Sequence, residues 1–192
     1  VARIAFVLVD PFADWEPALL AAGAREDFKD EVSWLSLDGK PVPSMGGLTV
    51  QADGVLDDSV LERADALVLI GSPLWQTSGS PDLSSLLRRA VDRGLVVAGI
   101  CGATLALARA GLLDTRAHTS NALEFLQQHA AGYNGSALYR HSAQAVSDGR
   151  VVTAPGSAPV TFAVEVLQLL HPGATAALGE FRRDFAREHP PG

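Results

Sequence analysis

The chain carries a single cysteine, Cys101, in the setting that a reactive sulfur needs. The apolar run Val96-Val97-Ala98-Gly99-Ile100 leads straight into it. Gly102-Ala103-Thr104 follows, and residues 103–110 read as a helix of small side chains. Gly99 and Ala103 stand two places to either side, the spacing of a nucleophile elbow with alanine in the last position. A sharp strand-to-helix turn needs such flanks so that the two backbones can approach. The turn lifts the nucleophile above the carboxyl edge of a sheet. It also aims the first helical amides at the sulfur, where they favour a thiolate and can hold an oxyanion. Free cysteines are often inert core residues, but strand, flanks and helix together favour the elbow here.

Other groups are candidates to act with it. Glu16 follows Trp15 soon after the first apolar run, so strand order puts it at the same carboxyl edge as Cys101, where open α/β sheets bind ligands. An acid at a helix start is also a common solvated residue. His118 lies 17 residues after Cys101. An imidazole there would take the thiol proton or stabilise the thiolate as an ion pair. Gly71 and Ser72 follow a third buried run, and their amides with that of Gly102 are candidates for an oxyanion site. Of the other histidines, His129 fits the polar end of a helix. His171 and His189 flank prolines and read as surface. His141, with Tyr139, Arg140 and Ser142, is a candidate pocket lining. One cysteine and scattered histidines give no zinc spacing. There is no Walker motif, and Gly71-Ser72-Pro73 makes no dinucleotide fingerprint. No metal and no cofactor are expected.

The elements that must position these groups come as short apolar blocks. Residues 4–9, 32–37, 66–70 and 95–100 lack polar alternation and read as strands buried on both faces, as in a parallel sheet. Between the last two, Leu83, Leu86, Leu87, Ala90 and Val91 recur at helical spacing over residues 82–93, with Pro81 near the start and Gly94 past the end. The alternation predicts a three-layer α/β/α sandwich with a mostly parallel central sheet. Residues 143–146 and 151–154 flank Ser147-Asp148-Gly149-Arg150 and predict an antiparallel hairpin. Residues 41–50 are a candidate second ribbon. Residues 158–170 and 174–188 read as helices, and residues 189–192 as a loose tail.

The 192 residues suit one domain. With 47% hydrophobic and 19% charged residues the chain is globular in composition. Its net charge of −7 makes nucleic acid and anionic membrane poor partners. The first apolar run is too short to span a membrane, and a lone cysteine forms no internal disulfide. A cytoplasmic protein is expected.

Ala98-Gly99-Ile100-Cys101-Gly102-Ala103-Thr104, then Leu107-Ala108-Arg109-Ala110-Gly111-Leu112-Leu113-Asp114, resembles the DJ-1/PfpI superfamily. Ala13-Asp14-Trp15-Glu16, Val68-Leu69-Ile70-Gly71-Ser72 and Val152-Thr153-Ala154-Pro155-Gly156 resemble its acidic segment, its glycine turn and its closing strand. The run Cys101-Gly102-Ala103-Thr104 with His118-Thr119-Ser120-Asn121 is similar to a bacterial branch labelled type 1 glutamine amidotransferase-like. The resemblance implies a flavodoxin-like fold and a protonated Glu16 that donates to the sulfur. It also implies His118 as base partner or environment for the thiol, and a homodimer, for which the apolar helix at 158–170 is a candidate interface. Gly102 stands where the protease branch has histidine, and the H-x-E pattern of true amidotransferases is absent. The function expected is a cysteine-dependent hydrolase or lyase acting on a small amide, aldehyde or glyoxal-derived substrate. The alternatives are a redox-sensing stress protein in which Cys101 is oxidised, and a binding or assembly role.

Overall fold

In the first strand Ile4, Phe6 and Leu8 point to one side and Ala5, Val7 and Val9 to the other, and all six are buried. Such a strand is stable only between two apolar layers, and the rest of the chain supplies them. The computed structural model describes residues 1–187. In chain order the elements are β1 (Arg3–Val7), α1 (Trp15–Asp27), β2 (Glu31–Ser36), β3 (Val42–Pro43), β4 (Thr49–Val50), β5 (Gly54–Val55), α2 (Val60–Arg63), β6 (Ala66–Leu69), α3 (Ser84–Asp92), β7 (Val96–Ile100), α4 (Thr104–Arg109), α5 (Leu123–His129), β8 (Val146–Asp148), β9 (Val151–Ala154), α6 (Pro159–Leu170) and α7 (Thr175–Ala186).

Seven strands form one sheet in the order β5-β2-β1-β6-β7-β9-β8, parallel throughout except for the last pair. Leu20, Phe162, Val166 and Leu178 from α1, α6 and α7 cover one face, against Phe6, Val68 and Ala98. Leu61, Leu87, Leu105 and Leu126 from α2–α5 cover the other, against Val7, Leu69 and Val97. This is the expected three-layer sandwich. The chain leaves β1 toward β2 and later returns to the other side of β1 as β6, so the order reverses between β1 and β6. The carboxyl ends of strands at such a reversal are where these sheets open a crevice.

Local chemistry explains the boundaries. Gly94, at φ 80°, ends α3, with its N–H bonded to the Val91 carbonyl and that of Leu95 to Ala90. Gly99 lets α4 start close to β7, since a Cβ there would lie 2.9 Å from Leu107 Cδ1. β3 and β4 pair as the small ribbon. The hairpin forms with Asp148 opposite Val151 and a turn of Gly149 and Arg150. Its first strand therefore starts at Val146 rather than at residue 143, because the Ser142 hydroxyl closes a loop on the Gln144 backbone.

Two expectations, for β2 and for His171, are corrected. β2 is not buried on both faces: only Leu35 and Ser36 reach β5, and the first half of the strand runs as an edge. A cleft of about 620 Å³ lies along it, lined by Arg3, Ser33, Val55 and Arg63 among others, and holds none of the groups around Cys101. α6 is flanked by α1 and α7 and has no fully exposed residue, its outward side, with Val160 and Val164, being half-buried. His171 is no surface residue: it is half-buried, bonded to Asp30 at 2.7 Å and stacked on Phe28. The expectations for Glu188, His189 and the tail lie outside the described residues.

Leu20 is fully buried in the helical layer, whereas Leu48 on the ribbon is 63% exposed. Leu20→Ala is expected to cost about 2–5 kcal/mol, read from the urea midpoint. Leu48→Ala should stay within about 0.5 kcal/mol. Equal small changes in both would show that α1 does not seal the core.

Candidate functional site

β7 delivers Cys101 at the carboxyl edge in a backbone conformation that its residue type avoids. Its φ is 57°, in the left-handed region, where a non-glycine residue costs about 1–3 kcal/mol. The surroundings hold it there. Residues Cys101–Ala103 form a tight 3₁₀ turn that feeds α4. Thr104 Oγ1 donates to the Cys101 carbonyl at 2.7 Å and pairs with Ser120 Oγ at 2.7 Å. The sulfur is half-buried.

Glu16 meets it from the first turn of α1. The segment before Glu16 is docked on the turn after β6, where Ala13 N–H donates to the Gly71 carbonyl at 3.0 Å. Gly71 N–H in turn donates to Glu16 Oε2 at 2.6 Å. The carboxyl group is fully buried, and its other oxygen, Oε1, has no conventional hydrogen-bond partner. Two glycines make the close packing possible. A Cβ on Gly71 would fall 2.6 Å from Glu16 Oε2 and 2.8 Å from Cys101 Cβ. A Cβ on Gly156 would fall 2.9 Å from the sulfur and 3.3 Å from Glu16 Oε1. Sulfur and carboxyl thus crowd the same side of the Gly156 backbone.

Their electrostatics follow from this packing. Burial pushes Glu16 up to about 7, against smaller opposing effects of the Gly71 N–H and the thiol. Burial also pushes the Cys101 thiol up, and a charged Glu16 adds to that. The Asn121 amide, with Nδ2 at 3.3 Å from the sulfur, and the Gly102 N–H favour the thiolate instead. Ionising either acid makes ionising the other harder, so the pair holds on to one proton. The elbow's amides do not offset the burial of the thiol, and an ionised Glu16 raises it further.

His118 is not presented to the sulfur. It is fully buried, with Nδ1 2.7 Å from the Arg116 carbonyl and Nε2 2.7 Å from the Tyr133 hydroxyl. Its ring lies edge-on to Tyr133 and Tyr139. Burial lowers its pKa, so the neutral ring donates to the carbonyl and accepts from the tyrosine. Both nitrogens are occupied, and the imidazole fastens the 116–121 segment in place. The side chain from that segment that touches the sulfur is Asn121, three residues on. Sequence reasoning quoted Asn121 within a motif without giving it a role.

Gly71 does not supply a free amide either, because Glu16 occupies it. Ser72 is buried, and its hydroxyl accepts from Leu74 N–H at 3.1 Å to cap the turn at Pro73–Gln76. Gly102 packs against the Ser72 backbone. Trp75 is a core residue whose Nε1 donates to the Ile70 carbonyl. Next to Asn121 a cleft of about 330 Å³ opens, lined by Ser120, Glu124, Tyr139, His141, Ser142 and Ser157 among others. Among the described residues, no three His, Cys, Asp or Glu side chains come together as metal ligands. No described helix is long and apolar enough to cross a membrane.

Residues 2–169 match the DJ-1/PfpI family. The chain is 35% identical over 165 residues to the "Uncharacterized protease YoaZ" of Bacillus subtilis, covering 82% of this chain and 78% of that protein. The crystal structure of the DJ-1 superfamily protein Atu0886 from Agrobacterium tumefaciens is 47% identical, with a TM-score of 0.90, covering 98% of this chain and 100% of that one. A thiJ/pfpI family protein from Bacillus anthracis is 30% identical, with a TM-score of 0.84, covering 98% of this chain and 92% of that one.

The buried carboxyl makes a pH signature. With Glu16 held near 7 against an ordinary 4.5, the folded chain keeps a proton that the unfolded chain releases between those values. This contribution is full below about pH 4.5 and is lost as pH rises toward 7, on the order of 3 kcal/mol in all. Glu16→Gln should remove that slope in urea titrations run from pH 5 to 8. It should also move the pH midpoint of iodoacetamide alkylation of Cys101 downward, because a nearby charge is gone. Parallel stability profiles in the two proteins would refute the assignment.

Proposed function

The chain belongs to the DJ-1/PfpI family, and from that premise we propose that it is a cysteine-dependent enzyme of hydrolase or lyase type. Cys101 is the nucleophile and Glu16 its proton carrier. The substrate is a small carbonyl compound, an aldehyde or glyoxal-derived adduct foremost. One observation carries the reading. A fully buried carboxyl group beside the only thiol is tied through one oxygen, leaves the other without a conventional partner, and is pushed up to about 7 by burial. An acid so placed gives and takes protons with little driving force lost in either direction.

The chemistry runs on the chain's own groups. Ionised Glu16 takes the thiol proton as the sulfur closes on the carbonyl carbon. The S–C bond forms, and the π pair of the C=O moves onto oxygen. Glu16 then returns the proton to that oxygen, giving a hemithioacetal with Glu16 ionised again. The Gly102 amide, which already acts on the sulfur, is a candidate main-chain donor for the oxyanion, with the Ser72 amide beside it. Addition to an aldehyde expels no leaving group and so asks for no second base, which agrees with an imidazole engaged elsewhere. The cleft beside Asn121 suits a small molecule, and its serine hydroxyls suit an oxygen-rich one.

A second reading has an observation of its own. Asn121 and Gly102 both direct N–H groups at a half-buried sulfur. With peroxide as oxidant, the thiolate would take up two oxygens in turn, releasing one water each time, and these donors would hold the sulfinate. Mass spectrometry after mild peroxide tests it. An unmodified Cys101, under conditions that oxidise free cysteine, sinks it.

Turnover of a panel of aldehydes, glyoxal adducts, small amides and peptides should fall on the order of 10²-fold or more in Cys101→Ala. Equal rates in both proteins would end the enzyme reading. His118→Gln is expected to keep kcat within a few-fold while lowering stability by about 1–3 kcal/mol. A loss of kcat as deep as that of Cys101→Ala would put the imidazole back into the chemistry.

A further inference from the structure

We propose that Trp15 is a positioning residue for the Cys101 sulfur, acting through Gly156 and Asn121. The indole is half exposed, at 50%, yet its N–H turns away from solvent. It donates to the Gly156 carbonyl at 2.8 Å, across 141 residues of sequence. The Gly156 N–H donates to Asn121 Oδ1 at 2.9 Å. With Oδ1 committed there, Nδ2 is left on the side of the sulfur, where it donates at 3.3 Å. Three hydrogen bonds thus run from the rim of the site to the reacting atom.

In the proposed relay each link orients the next. Asn121 is exposed, and an exposed carboxamide holds one orientation only if something bonds it. Turning it over would set its NH₂ against the Gly156 N–H. Gly156 carries the relay across two successive peptide groups, its C=O toward the indole and its N–H toward Asn121, and its backbone walls the sulfur, since a Cβ at residue 156 would fall 2.9 Å from it. The segment after β9 turns here, with Ala158 N–H bonded to the Pro155 carbonyl, and the indole ties this turn to α1. Trp15 and Glu16 are consecutive in the first turn of that helix. One helix start therefore reaches the sulfur twice, by direct packing of the acid and through the chain begun by the indole. A contact on the exposed half of the ring would be felt at both. A plain tether between α1 and the turn would change stability alone, whereas the relay changes the thiol, and only while Asn121 is present.

The proposal rests on Cys101 being the reacting atom of the function above, but its test uses no substrate. Iodoacetamide alkylation is followed against pH in the folded protein, where the single cysteine makes the signal unambiguous. Asn121→Ala should slow alkylation at pH 7.5 about fivefold, as expected for one lost hydrogen bond, and raise the pH midpoint. Trp15→Phe keeps an aromatic ring and removes the N–H. It should slow alkylation about twofold to threefold in the same direction. In an Asn121→Ala background, Trp15→Phe should then change nothing. No effect of Trp15→Phe in the parent, or an equal effect in both backgrounds, overturns the relay. Absence of carbonyl turnover would refute the proposed function and leave this result standing.

Discussion

A carboxyl group sealed from water keeps its proton to higher pH, and a thiol packed against it inherits the consequence. At the edge of this sheet the fully buried Glu16 has Gly71 N–H on one oxygen, and its other oxygen shares the Gly156 backbone with the Cys101 sulfur. Desolvation outweighs the single amide donor, and the acid moves into the neutral range. Burial raises the thiol beside it as well, and the charge of Glu16 raises it further. Much of the local architecture serves to keep them that close, down to the glycines whose missing side chains make the space.

The parallel sheet explains how three distant segments meet. β1, β6 and β7 are neighbours in it, so the residues following each emerge along one edge. They bring Glu16, the Gly71 turn and Cys101 within contact of one another. The reversal of strand order between β1 and β6 leaves room there for α1 to begin. Cys101 bears a backbone strain of its own, at φ 57°. The Thr104 and Ser120 hydroxyls and the packing of α4 hold it. Strain retained at such a point implies that the surrounding fold over-determines it.

The polar network behind the site has a different task. His118 bonds the Arg116 carbonyl and the Tyr133 hydroxyl, while Tyr139 packs edge-on against its ring and donates its hydroxyl to the Ser120 carbonyl. A fully satisfied buried network is rigid. It fixes the segment that carries Asn121 to the sulfur. An imidazole near a catalytic cysteine invites the reading of a base, but here its neutrality and its two filled positions make it part of the frame.

Much of this was legible in the residues. Apolar runs without polar alternation mark strands buried on both faces, and helical periodicity between them forces parallel crossovers. The flanks of Cys101 mark a tight turn, because only small side chains let a strand and a helix approach so closely. Patterns of that kind record local sterics and burial, which depend on nearby residues. The tertiary structure alone decided that Asn121 rather than His118 touches the sulfur, since along an irregular segment successive side chains point in different directions. It alone decided that Gly71 spends its amide on Glu16, that β2 is half an edge, and that α6 lies between α1 and α7. Each of these depends on which distant surfaces come to share one small volume, and spacing along a chain carries no record of that.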